Sequence, residues 1–169
     1  ILIQNGLLID TEWKRRADIL INGSKIIKIA PHISEDSLTE KANIVHADGM
    51  LVFPGLIDAH THYHLISRGT VTADSFREGS RLAAFGGVTT VVDFADDDKV
   101  NLAKCSKERI SAMGKEMSID FALHQGVYGY REGLKEELKQ LKELGVGTIK
   151  LFTTYKNVGY LFPIESWDG

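Results

Sequence analysis

The sequence predicts an α/β fold in two parts, a β-rich segment over residues 1–50 and a run of parallel strands alternating with helices from residue 51 onward. Turn-forming pairs divide the first part: Asn22-Gly23 and Asp48-Gly49 each separate short apolar runs, the usual sequence mark of a tight reversal between strands. In the second part, short β-branched runs alternate with longer runs of helical period, the rhythm of βα units on a parallel sheet. Glycines also follow the helical runs, at Gly86-Gly87 and Gly145, where a helix ends most easily.

In chain order, Asp18 to Ile29 reads as a hairpin turning at Asn22-Gly23, and Ser34 to Lys41 as a polar loop. Four strands are expected at Leu56–His60, Val88–Phe94, Ile119–Gln125 and Gly147–Phe152. The helices between them are expected over Thr72–Phe85, Leu102–Met117 and Glu132–Leu144. Leu102, Cys105, Ile110, Met113 and Met117 fall near one face of the second helix, and Leu134, Leu138, Leu141 and Leu144 keep helical spacing in the third. Four parallel strands fit either a small open sheet or the first half of a (β/α)8 barrel, whose full length is about 250 residues.

Composition narrows the function classes. The 169 residues carry a formal charge of −3 with acidic and basic groups interspersed, so nothing resembles the basic footprint of a nucleic-acid binder. No apolar run approaches the roughly 20 residues that cross a bilayer, and the first residues lack a signal peptide's basic start and cleavage site. One cysteine, Cys105, excludes an intrachain disulfide and fits a reducing, cytoplasmic setting. The chain begins without Met and ends at Trp167-Asp168-Gly169 without a closing element, so it reads as the N-terminal piece of a longer protein.

The sharpest chemical signal is Pro54-Gly55-Leu56-Ile57-Asp58-Ala59-His60-Thr61-His62. Alternation along a strand would turn Asp58, His60 and His62 to one side. The two histidines would sit at the C-terminal strand end, where α/β proteins build their sites. Two imidazoles one pleat apart can hold one divalent ion, although a bare His-x-His also occurs on ordinary surfaces. The second signal is Lys150 in Thr148-Ile149-Lys150-Leu151-Phe152. Its parity opposes Ile149 and Leu151, so in a barrel it would point inward, where an ammonium tends to lose its charge. A neutral amine can take up CO2 as a carbamate, an anionic oxygen ligand. A lysine snorkelling from an edge strand is the plainer alternative.

Pro54 to His62 resembles the first metal-binding strand of the amidohydrolase superfamily, and Thr148 to Lys156 resembles its fourth strand. Gly69 to Phe76 and Ala83 to Thr90 are similar to the dihydropyrimidinase and hydantoinase branch, and the resemblance extends over nearly the whole chain. It implies a metal-dependent (β/α)8 TIM barrel, of which residues 51–169 would supply the first four βα units. A small β-sandwich segment would precede the barrel, with residues 1–50 as its N-terminal part. It further implies His60, His62 and a carboxylated Lys150 as ligands of two divalent metal ions, zinc foremost, and Tyr155 as a catalytic contact to substrate. Thr153-Thr154 departs from the Met-Ala that relatives often carry there. The activity implied for the intact protein is hydrolysis of a cyclic amide, a hydantoin or dihydropyrimidine ring, by a metal-activated hydroxide, in a homo-oligomer that is tetrameric by resemblance. The two further histidines and the aspartate base of strands five, six and eight would lie beyond this chain, so the piece alone is expected to be inactive.

Dihydroorotase and allantoinase are alternatives within the branch. Dihydroorotases carry His-x-His-Leu-Arg, whose arginine pairs with a substrate carboxylate. Here Tyr63-His64 follows the pair, which favours a neutral ring. A non-catalytic dihydropyrimidinase-related assembly or signalling protein would lack the ligands, and His60, His62 and Lys150 are all present. A phosphotriesterase-like esterase shares the ligands but lacks the Gly69–Phe76 match. Among weaker candidates, Asp58 and Asp93 are expected partners of the ligand histidines, with a structural role open for Asp93. His124 is expected as a satisfied core histidine, with lining the site as the alternative, His64 in a loop, Asp96-Asp97-Asp98 as a solvated run and Cys105 in core packing.

Overall fold

The computed structural model describes residues 1–67, 69–154 and 159–162. Its contacts divide the chain into two compact units, Ile1–Pro54 and Gly55–Gly169.

The first unit is one mixed sheet. Strands β1 (Leu2–Ile9), β2 (Lys14–Asn22) and β3 (Lys25–Ala30) run antiparallel in sequence, and β4 (Ile44–His46) and β5 (Leu51–Val52) both join β1 in parallel. Leu8, Ala17 and Ile19 form its small buried cluster. The β2–β3 turn falls on Gly23-Ser24, one residue later than expected. Only Gly23 takes the left-handed conformation, at φ 56°, while Asn22 completes the strand against Lys25. Buried Asp18 accepts the backbone N–H groups of Asn5 and Ile33, each at 2.8 Å, and so ties the chain leaving β3 to the sheet.

The second unit is a four-stranded parallel sheet in the order β11-β10-β9-β6, with β6 (Leu56–Asp58), β9 (Val88–Ala95), β10 (Asp120–Val127) and β11 (Thr148–Leu151). Between β6 and β9 lie a two-residue ladder, β7 (Ile66–Ser67) with β8 (Thr70–Val71), and helix α1 (Phe76–Phe85). Helices α2 (Leu102–Glu116) and α3 (Leu134–Glu143) fill the next two crossovers. Leu102, Met113, Leu123, Val127, Leu134 and Leu141 pack into one core between these helices and one face of the sheet. This is the first half of a TIM barrel preceded by a β-rich segment.

Most element boundaries differ from expectation by one or two residues, and two of the differences bear on the site. Helix α1 starts at Phe76 rather than Thr72 because Ser75 is its N-cap: the Ser75 Oγ accepts the Glu78 N–H at 3.2 Å, and Glu78 reaches back to the same hydroxyl. Thr72 instead bonds Leu65 in both directions, through its own N–H and its hydroxyl. Strand β6 stops at Asp58, two residues short of His60, and its register slips between Leu56 and Ile57.

Candidate metal centre

Strand β9 sets the floor of the site. Val91, Asp93 and Ala95 are buried on its helix side, so alternation turns Phe94 to the opposite face. Four polar groups meet the Phe94 ring there. The His60 and His62 rings lie at 4.7 and 4.6 Å between centroids, His62 stacked at 23°, and His124 lies at 5.0 Å. The Lys150 ammonium stands 4.4 Å above the same ring and 4.9 Å from that of Phe152.

His60 Nε2 and His62 Nε2 face each other at 3.2 Å. Two nitrogens bound at about 2.0–2.1 Å to one tetrahedral zinc lie about 3.3 Å apart, so the pair fits a shared ion. His62 Nδ1 is buried without a hydrogen-bond partner among the described residues. Burial, and next the charge of Lys150, push the His62 pKa below its ordinary value. Both effects favour the neutral imidazole, the form that ligates metal. Among the described residues no three His, Cys, Asp or Glu side chains are placed to hold a metal ion together; beside the histidine pair stands the amine of Lys150. The donor set therefore fits a metal, with the lysine needing an added carboxylate to become an oxygen ligand.

Strand β10 brings His124 to the same face, where it lines the site rather than the core. Its Nε2 lies 3.1 Å from the Ala59 carbonyl and its Nδ1 2.5 Å from the Thr148 hydroxyl. A carbonyl only accepts, so Nε2 carries the proton, and in the neutral ring Nδ1 accepts from Thr148.

Asp58 and Asp93 take other places than the expected ones. The register slip puts Asp58 opposite Val91, in the helix-side alternation, and its carboxylate accepts the backbone N–H of His60 at 3.1 Å. Asp93 also points away from Phe94. Its Oδ2 accepts from Tyr63 N at 2.8 Å and from Thr61 Oγ1 at 3.3 Å, and Arg109 Nη2 donates to Oδ1. Both aspartates thus hold backbone beside the histidines instead of the imidazole rings.

The acidic run is solvated at Asp96 and Asp98, which are exposed in the loop, but not at Asp97. Asp97 is buried and paired with Arg131 at 2.9 Å, Asp96 accepts the Tyr128 hydroxyl, and Asp98 accepts the backbone N–H groups of Val100 and Asn101. Cys105 is half-buried and lines a cavity of about 400 Å³ with His64, Phe76, Phe94 and Arg109, outside the main core. His64 lies in a turn, as its distance from β6 implied, at φ 45° and against Phe76. Tyr155 falls outside the described residues. Sequence reasoning missed Phe94, Thr148 and Arg109; the parity of Phe94 relative to the apolar Val91 and Ala95 was the available signal for the first.

The chain matches the amidohydrolase family over residues 51–157. A D-hydantoinase of Geobacillus stearothermophilus is 38% identical over 160 residues, 93% of this chain and 33% of that protein. A dihydropyrimidinase of Dictyostelium discoideum is 31% identical over 159 residues, again 93% of this chain and 31% of the relative. The crystal structure of dihydropyrimidinase from Brevibacillus agri superposes with a TM-score of 0.89 at 32% identity, covering 97% of this chain and 35% of that one. The chain thus spans about a third of the length of these relatives.

Proposed function

The chain belongs to the amidohydrolase family, and from that premise we propose that the intact protein opens a neutral cyclic amide, a hydantoin or dihydropyrimidine ring, by hydrolysis at a two-metal centre. One observation supports this most: His60 Nε2 and His62 Nε2 lie 3.2 Å apart on the ring that also seats Lys150. The similarity to D-hydantoinases and a dihydropyrimidinase supports the substrate class.

In this reading His60 and His62 would hold one ion, with their facing Nε2 atoms as donors. The Lys150 amine, once neutral, would add CO2 and release a proton, giving a carbamate that would serve as an anionic oxygen ligand. Zinc ions would supply Lewis acidity toward a carbonyl oxygen and a lowered pKa for water. Phe94 keeps bulk water from beneath the two imidazoles. Tyr155 is assigned to the substrate oxygen that gains charge as water adds to the ring carbonyl. The C–N bond then breaks, and the ring opens to a ureido acid. A substrate carboxylate has no arginine to meet after the histidine pair, where Tyr63 packs on Gly79 and His64 on Phe76. Dihydroorotate is therefore disfavoured. No described helix is long and apolar enough to cross a membrane; a cytoplasmic homotetramer is the form supported by family resemblance.

The test is ring opening by the intact protein of a 5-substituted hydantoin, dihydrouracil and dihydroorotate, before and after chelation. Turnover of the neutral rings, lost on metal removal and regained with zinc, is expected. Preference for dihydroorotate, or turnover indifferent to chelation, would refute the reading.

A further inference from the structure

Strand β6 ends before the histidines, so ladder bonding does not carry through the segment that holds them. From Ala59 onward the chain bends, and Thr61 N to Val92 O, at 3.0 Å, is the backbone bond that ties it to β9. Side chains add to it: Asp58 accepts His60 N, Thr61 Oγ1 also donates to Val92 O, Thr72 Oγ1 donates to His62 O and His124 bonds Ala59 O, while one buried carboxylate gathers the largest set of contacts. Asp93 is fully buried and receives four donors: Thr61 Oγ1 and Tyr63 N, which bracket His62, then Phe94 N and Arg109 Nη2. Arg109 Nη2 also donates to Tyr63 O at 2.5 Å. The guanidinium reaches over from α2 and rests on the Phe76 ring at 4.6 Å. Burying a carboxylate away from water is costly unless an opposite charge and hydrogen bonds satisfy it, and Arg109 supplies that charge.

We propose that Arg109, acting through Asp93, is the positioning residue that presets His62 for metal. The inference rests on the reading of His60 and His62 as metal ligands. Arg109 touches neither ring, but one ion pair fixes both sides of the His62–Phe94 stack: Tyr63 and Thr61 beside the imidazole, and the backbone of Phe94 below it. The same unit contains a similarly buried pair for comparison, whose arginine also reaches Glu137 at 2.8 Å. Asp97 and Arg131 are about equally buried, and Asp97 accepts from Tyr128 N and Lys99 N, none of which flanks a histidine. Were Arg109 only a core ion pair, the two arginines would behave alike.

The experiment measures zinc affinity of the intact protein by chelator competition, with the melting temperature of the metal-free form, for Arg109→Met and Arg131→Met. Both variants should melt lower. Only Arg109→Met should weaken zinc binding, by at least tenfold, while Arg131→Met stays within twofold of wild type. Arg109→Lys keeps a charge against Asp93 but not the planar fork, so it should recover part of the affinity and still fall at least threefold short. That variant carries the test by itself where Arg109→Met does not fold. Wild-type affinity in the Arg109 variants, or an equal loss in Arg131→Met, would overturn the inference. His62→Ala is measured alongside: zinc lost there but kept in the Arg109 variants defeats the positioning role alone, whereas zinc kept in His62→Ala defeats the metal reading and this role together.

Discussion

Gly79 and Gly114 both lie inside helices, and the same substitution should move stability in opposite directions at the two positions. A Cβ at Gly114, in α2, would have no heavy atom within 4 Å, so Gly114→Ala should stabilise by about 0.5–1 kcal/mol, the ordinary helix preference for Ala over Gly. A Cβ at Gly79, in α1, would stand 2.4 Å from both Cδ1 and Cε1 of Tyr63. Tyr63 cannot swing aside freely, because its N–H is bound to Asp93 at 2.8 Å and its carbonyl to Arg109. Overpacking of this kind costs about 1–3 kcal/mol. Less the helix gain of about 1 kcal/mol, Gly79→Ala should destabilise by about 1 kcal/mol and at most about 2. Helix propensity cancels between the two variants, so their difference isolates the packing conflict, about 1–3 kcal/mol. Urea unfolding of the intact protein with unchanged m measures it. A gap under about 0.5 kcal/mol would mean that Tyr63 relaxes freely and that the α1–Tyr63 contact does not restrain the histidine segment.

The double substitution His60→Ala, His62→Ala should lower metal content by about one ion per subunit, since a catalytic zinc has few protein ligands to spare; unchanged content by elemental analysis would refute the pairing. Lys150→Ala should abolish turnover, and short carboxylic acids should restore part of it by standing in for the carbamate. A metal-loaded crystal with no density beyond Lys150 Nζ would contradict that. Burial, with Asp98 nearby, pushes the Cys105 thiol up to about 11. At pH 8 its thiolate population is then on the order of 200-fold below that of a free cysteine of pKa about 8.5. Iodoacetamide should accordingly label Cys105 slowly until the protein is unfolded, and labelling of the native protein at the rate of a free thiol would show that the burial is wrong.

Much of this was legible in the sequence because parity is legible. Ile149 and Leu151 told which way Lys150 points, and it stands over Phe94. The same rule applied to Val91, Asp93 and Ala95 would have turned Asp93 toward α2. Its acidity drew attention to the metal instead. Asp58 could not be read this way, since its direction depends on a register slip against β9 that no local pattern announces. The start of α1 was written in Ser75 and Glu78, a reciprocal cap that the apolar spacing from Thr72 obscured. Asp97 looked like one member of a charged loop; only the approach of Arg131, 34 residues later in the chain, makes it a buried ion. Local chemistry was thus readable wherever a strand ran regularly. Long-range pairing of charges was not.

The shared aromatic floor has a consequence for how such a protein changes under mutation and selection. Position 94 meets His60, His62, His124 and Lys150 at once, so a substitution there shifts four distances in a single step and none of them separately. Drift at this residue is all-or-nothing, and a variant library diversified at position 94 should contain few survivors of intermediate activity. Positions such as Thr148, which touches the group through one hydroxyl, offer the graded changes by which a lineage can adjust its chemistry without first losing it.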